Sequence, residues 1–158
     1  MTLPNTTVSL ISSLQDHGID PILYGSQGVS LYIGQFKEFG DVDLLVPDEW
    51  VQKRWQELIS VMGALGYSMV NEHEHEFEDE EKSTVGFAGE SILIRDGISI
   101  PESQDIIWTT VSGASVRTLS AKAFRRVYRF SVHDGYRIET RGKKDAEIIS
   151  LLDSYLKT

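Results

Sequence analysis

The chain has 158 residues, enough for one domain with a real core and a small appendage. It contains no cysteine, which excludes disulfides and thiolate metal sites, and its net charge of −9 argues against a general nucleic-acid-binding surface. No apolar run approaches the roughly 18 residues of a membrane span, and no basic segment followed by an apolar stretch opens the chain, so the expectation is a soluble cytoplasmic protein without membrane partners.

The first helix is expected after Pro4 and Asn5, with Val8, Ile11 and Leu14 at helical spacing and Gly18 as its stop. Residues 22–24 read as a short buried strand. Gly25-Ser26 makes a tight turn, residues 27–33 a short helix ending at Gly34, and residues 35–40 a polar loop. Residues 41–46 form the second strand, stopped by Pro47. Asp48 can cap the next helix, about residues 49–65, where Val51, Trp55, Leu58, Ile59, Met62 and Leu65 share one face. Alternation over 67–77 predicts a strand, and residues 84–88 and 91–94 predict two more. Asp96-Gly97 then reads as a hairpin turn returning through Ile98 and Ile100. Residues 116–119 give a last extended piece. Ser120 can cap a helix with Ala123, Phe124, Val127 and Tyr128 inward and Lys122, Arg125, Arg126 and Arg129 outward. A second helix over 143–156 turns Ala146, Ile149, Leu152 and Leu156 inward. The order predicts an α+β fold: a mixed β-sheet with helices on one side, plus a helical C-terminal lobe. The core would span 1–118 and the lobe 119–158, packed as one unit.

Charge is unevenly distributed. Residues 72–81 hold Glu72, Glu74, Glu76, Glu78, Asp79, Glu80 and Glu81, while residues 117–144 are rich in Lys and Arg. Such asymmetry points to a polyanion site or a partner surface, and leaves a homo-oligomer or protein partner open.

Asp41 and Asp43 lie two apart within the apolar run of the second strand, so they project from one face. Adjacent carboxylates repel unless a cation lies between them. The natural occupant is Mg²⁺, which takes oxygen ligands and keeps waters and substrate phosphates in its shell. Read alone, the pair is two acids at an exposed strand end, and Gly25-Ser26 is only a turn. Together they form a pattern.

Leu23-Tyr24-Gly25-Ser26, a spacer, and Asp41-Val42-Asp43-Leu44 resemble the signature of the DNA polymerase beta-like nucleotidyltransferase superfamily. The flanking helices agree over residues 7–70. The segment Val116-Arg117-Thr118-Leu119-Ser120 and the closing Lys143-Lys144-Asp145-Ala146 are similar to the tails of small bacterial members, among them minimal, antibiotic-modifying and toxin-like enzymes. The resemblance implies Mg²⁺-dependent transfer of a nucleoside monophosphate from an NTP to a hydroxyl-bearing acceptor, a small molecule or a protein. It gives Gly25 and Ser26 the phosphates and Asp41 and Asp43 the metal. Lys143 and Lys144 are candidate phosphate contacts. A third carboxylate is expected on a later strand, but Val85-Gly86-Phe87 puts glycine at its place. Glu76 or Glu90 would have to serve, and the rival reading is a catalytically degenerate binding module. A second rival is a transition-metal site at His73 and His75, which share one face if residues 67–77 are a strand. The basic stripe at Arg125, Arg126 and Arg129 reads either as solvated surface or as a contact for the triphosphate or the acidic loop.

Overall fold

Short apolar segments separated by turns build a seven-stranded mixed sheet whose strands lie in the order 68–71, 76–78, 84–89, 42–46, 22–24, 114–119 and 106–111. The computed structural model describes residues 3–34, 41–95, 97–98, 104–131 and 135–157, with the side chains of 131 and 135–143 left aside. The elements are α1 (Asn5–Asp16), β1 (Ile22–Tyr24), α2 (Gly25–Ile33), β2 (Val42–Val46), a 3-10 turn (Asp48–Val51), α3 (Trp55–Ala64), β3 (Ser68–Asn71), β4 (Glu76–Glu78), β5 (Thr84–Gly89), α4 (Ile92–Arg95), β6 (Ile106–Val111), β7 (Ala114–Leu119), α5 (Ala121–Ser131) and α6 (Gly135–Lys157). The α+β class and mixed sheet are as the sequence predicts. None of the helices, among the described residues, is long and apolar enough to cross a membrane.

The pleat sorts β2 onto two faces. Val42, Leu44 and Val46 join Leu10, Ile11 and Leu14 of α1 and Leu58 and Met62 of α3 in one buried cluster. Leu45 points the other way and packs with Ile22 of β1, Val29 of α2, Phe124 and Val127 of α5, and Ile148 and Leu152 of α6. The C-terminal helices thus cover part of the sheet face opposite α1 and α3. Two buried polar bonds tie these elements together. The Thr118 hydroxyl donates to the Leu23 carbonyl at 2.8 Å, and Thr7 donates to Gln27 Oε1 at 2.7 Å, tying α1 to α2.

Several expected elements are corrected. The helix expected over 49–65 is broken at residues 52–54. Five residues on a continuous helix lie about 140° apart, so Trp50 and Trp55 would not share a face; the break lets both enter the core, at 4% and 8% exposure. The Arg54 guanidinium covers the Trp50 ring at 3.6 Å and bonds Glu57. The strand expected over 67–77 is a hairpin: β3 and β4 pair antiparallel around a turn at 72–75. No glycine or proline announces that turn; His75 itself takes the left-handed conformation at φ 53°. The strand expected over 91–94 is the short helix α4, which buries Leu93 and packs Ile92 against the core while Ile94 is exposed. Gly97 follows α4, its N–H donating to the Ile94 carbonyl at 3.2 Å; the hairpin expected at Asp96-Gly97 through Ile100, like the loop 35–40, lies outside the described residues. Strand β6 was not foreseen, and α6 begins earlier than expected, at Gly135.

Candidate active site

Strand register builds the site. Tyr24 of β1 pairs with Asp43 of β2, Asp43 with Gly86 of β5, and Gly86 with Glu76 of β4. Residues in one such row point to the same face. Asp43 and Glu76 therefore stand on the same side of the sheet, one strand apart and about 10 Å between backbones, with the glycine between them. A Cβ built on Gly86 would lie 3.6 Å from Asp43 Oδ1 and 3.9 Å from Glu76 Cγ, so both side chains lean over the space that residue leaves. Asp43 is the exposed member of an otherwise buried strand.

Gly25 opens α2 directly after β1, at φ 61°, and Ser26 follows it, buried. A Cβ on Gly25 would collide with the Asp43 carboxylate, with Cγ at 3.1 Å. Glycine is required there twice over, for the left-handed backbone and for the close approach of the acid. The helix start also brings backbone N–H groups to the same place, an anion-favouring arrangement. Gly86 has only the second role, at ordinary van der Waals distances. Replacing Gly25 by alanine is therefore expected to cost about 1–3 kcal/mol from strain and collision, while Gly86→Ala should cost less than about 1 kcal/mol. Urea unfolding of the two variants measures the contrast.

These residues line a cleft of about 490 Å³ between the sheet and α5. Part of the lining is polar, namely Gly25, Ser26, Asp43, His73, Glu74, His75 and Glu76, and part is apolar, namely Leu45, Ala88, Ile92, Phe124, Val127 and Tyr128, with Arg95 at the end of α4. Tyr24 also lines it, its ring 6.2 Å from that of Phe124.

The structure thus brings Gly25, Ser26, Asp43 and Glu76 together. Asp41 stands exposed one residue ahead of β2 and is not among the cleft-lining residues. Glu90 is not brought to the cleft. It lies beyond the other end of β5 and accepts a hydrogen bond from Arg117 Nη2 at 2.8 Å, in an ion pair where both side chains are largely buried. Burial pushes the Glu90 carboxyl above its ordinary range, with Arg117 opposing and Asp48 and Asp20 adding to the rise. Four residues of strand separate it from Gly86, roughly 13 Å. Lys144 is exposed on α6 and does not line the cleft, and the Lys143 side chain lies outside the described residues. The basic stripe is tied to neighbouring acids: Arg125 and Arg129 both bond Asp153 of α6, at 3.0 and 3.2 Å, and Arg126 bonds Asp105 at 3.0 Å.

His73 and His75 occupy the β3–β4 turn, not one face of a strand, because the chain reverses at 72–75. The His75 ring packs edge-on against Trp55, with centroids 4.6 Å apart. Among the described residues no group of three or more His, Asp or Glu is close enough to hold a metal ion unaided. Sequence alone does not place Arg95 or the apolar lining, since residues 91–94 read as a strand and the inward residues of α5 as plain core.

No protein-family model matches the chain. It is 28% identical over 163 residues to the uncharacterized protein YnaI of Bacillus subtilis (strain 168), covering 99% of both chains. Among solved structures it resembles the lincomycin-bound lincosamide antibiotic adenylyltransferase LnuA, with 17% identity, a TM-score of 0.63 and 98% of each chain covered. It also resembles the antibiotic-resistance factor ANT(2'')-Ia, with 20% identity, a TM-score of 0.63, and 98% of this chain and 86% of that one covered. A nucleotidyltransferase-like protein from Paracoccidioides brasiliensis gives 14% identity and a TM-score of 0.61, with 93% of this chain and 73% of that one covered. Gly-Ser turn, strand pair and sheet order lead to one conclusion: the chain has the nucleotidyltransferase fold of the DNA polymerase beta-like type.

Proposed function

We propose that this protein transfers a nucleoside monophosphate from an NTP to a hydroxyl of a small molecule, in a Mg²⁺-dependent reaction that releases pyrophosphate. The observation that carries the proposal is the row Glu76, Gly86, Asp43 set beside the start of α2 at Gly25 and Ser26. The donor set fits the ion: carboxylate oxygens are what a hard dication prefers, and the side chains absent at 25 and 86 leave room around Asp43. Asp41 and Asp43 would hold Mg²⁺, with phosphate oxygens and waters completing the shell. When bound, the ion would neutralise charge on the phosphates.

The chain's own residues do the rest. Ser26 and the N–H groups opening α2 hold phosphate oxygens. Glu76 takes the proton of the acceptor hydroxyl as its oxygen bonds to the α-phosphorus and pyrophosphate departs with the cleaved bond's electrons. The apolar lining excludes water from the attack. A small acceptor is supported by the size of the cleft and by the antibiotic-modifying structural neighbours; the charge of −9 disfavours a large RNA.

The second reading is a degenerate module that binds Mg-NTP without turnover, and the observation in its favour is Gly86 at the place where the resemblance expects an acid. Pyrophosphate release with each NTP across a panel of hydroxylated small molecules, with a hydroxyl-bearing protein as the contrasting acceptor, separates the two. Turnover is expected, and Glu76→Gln should lower it about 10²-fold or more. Mg-NTP binding with no release under any acceptor would favour the module. Turnover unchanged in Glu76→Gln would remove Glu76 from the reaction.

A further inference from the structure

An NTP entering this cleft brings its negative charge against Asp43, Glu74 and Glu76, all of which line it. Among the described lining residues, Arg95 is the single Lys or Arg. Arg117, Arg125, Arg126 and Arg129 are not among the residues that line the cleft. Lys144 is not among the lining residues, and the Lys143 side chain lies outside the described residues.

The backbone that presents Arg95 is fixed. Leu93 and Ile98 on either side of it are buried at 0% and 1% exposure. The Leu93 N–H donates to the Glu90 carbonyl at 3.0 Å, and the Ile98 N–H donates back to the Leu93 carbonyl at 2.7 Å, so the chain around Arg95 is a closed loop rather than a free arm. The side chain is exposed, and its guanidinium lies 5.9 Å from the Phe130 ring centre, which limits where it can swing. A guanidinium offers two parallel N–H groups that match two phosphate oxygens.

From this placement we propose that Arg95 is the guanidinium contact for the pyrophosphate portion of the bound NTP, the part that leaves. The inference rests on the nucleotidyl-transfer reading of the cleft and adds to it a residue outside the Gly-Ser and Asp-x-Asp segments. Arg95 offsets the carboxylates that line the same cleft, so that the β- and γ-phosphates, and not the α-phosphate alone, are gripped.

Calorimetric titration with three probes in Mg²⁺ tests it: a non-hydrolysable ATP analogue, inorganic pyrophosphate, and AMP. Arg95→Gln is expected to weaken the triphosphate and pyrophosphate about tenfold or more, while AMP stays within about twofold. Arg95→Lys should recover part of the loss, and because Arg95 is exposed both variants should unfold at the wild-type urea midpoint. Wild-type affinity for all three probes in Arg95→Gln would overturn the assignment, as would a loss for AMP as large as that for the other two, which would place Arg95 at the α-phosphate or nucleoside. If Arg95→Gln failed to fold, Arg95→Lys would decide it by the same ratio of pyrophosphate to AMP binding. Wild-type protein that binds none of the probes would remove the nucleotide reading itself, a result distinct from binding that ignores Arg95.

Discussion

Asp43→Asn is expected to abolish nearly all nucleotidyl transfer, by about 10²–10³-fold, while leaving the fold intact. The change is isosteric, so the contact of residue 43 with Gly25 survives. What it removes is a charge that the strand register sets on the same face as Glu76, across Gly86. The variant should unfold near the wild-type urea midpoint, and its NTP binding should lose its dependence on Mg²⁺. Asp41→Asn should behave differently. Asp41 is exposed at the approach to β2 and outside the cleft lining. A ligand at that position helps to recruit the ion, so its loss should raise the Mg²⁺ concentration for half-maximal rate and be rescued by more Mg²⁺. Wild-type turnover in Asp43→Asn would end the metal-site proposal.

Much of this site was legible in the chain because it is built from local chemistry. A glycine that must adopt positive φ, a serine after it, and two acids alternating with Val42 and Leu44 are short-range signals. Strand periodicity alone aims Asp43 away from Val42 and Leu44. The partner of Asp43 was harder. Glu76 was one of two candidates, and neither spacing nor propensity could rank it above Glu90. That ranking depends on which strand lies beside β5, a long-range fact that appears only when β4 pairs with it through Phe77 and Val85. The turn at 72–75 was hidden for a related reason: His75 adopts a conformation usually marked by glycine, so the alternation of Glu and His looked like uninterrupted strand. Arg95 was hidden because four apolar-rich residues fit helix and strand equally well. The basic stripe of α5 was legible as a stripe, but its acids, Asp153 and Asp105, lie more than twenty residues away in sequence.

Arg117→Met should destabilise the protein at pH 8 by about 2 kcal/mol. That is less than the roughly 3–5 kcal/mol of a fully buried pair, because both partners keep some solvent contact. Arg117 donates to Glu90 and to the Asp20 carbonyl, each at 2.8 Å. Its removal strips Glu90 of the two influences that lower its pKa and leaves those that raise it, burial first and then Asp48 and Asp20. The sign of the pH dependence follows. Below the ordinary carboxylate pKa, Glu90 is protonated in both folded and unfolded chains and carries no charge to bury. As pH rises through its elevated folded value, the folded state must hold an uncompensated carboxylate, and stability is lost. The deficit of Arg117→Met relative to wild type should thus shrink toward pH 4.5 and grow toward pH 8. In an Arg117→Met, Glu90→Gln double variant it should be smaller and nearly independent of pH, since no carboxylate remains. Urea midpoints at the two pH values measure all three proteins. Because this pair lies roughly 13 Å along β5 from Gly86, Glu90→Gln alone should retain pyrophosphate release. Loss of turnover in that variant, with its unfolding midpoint unchanged, would return Glu90 to the list of reacting groups and displace Glu76.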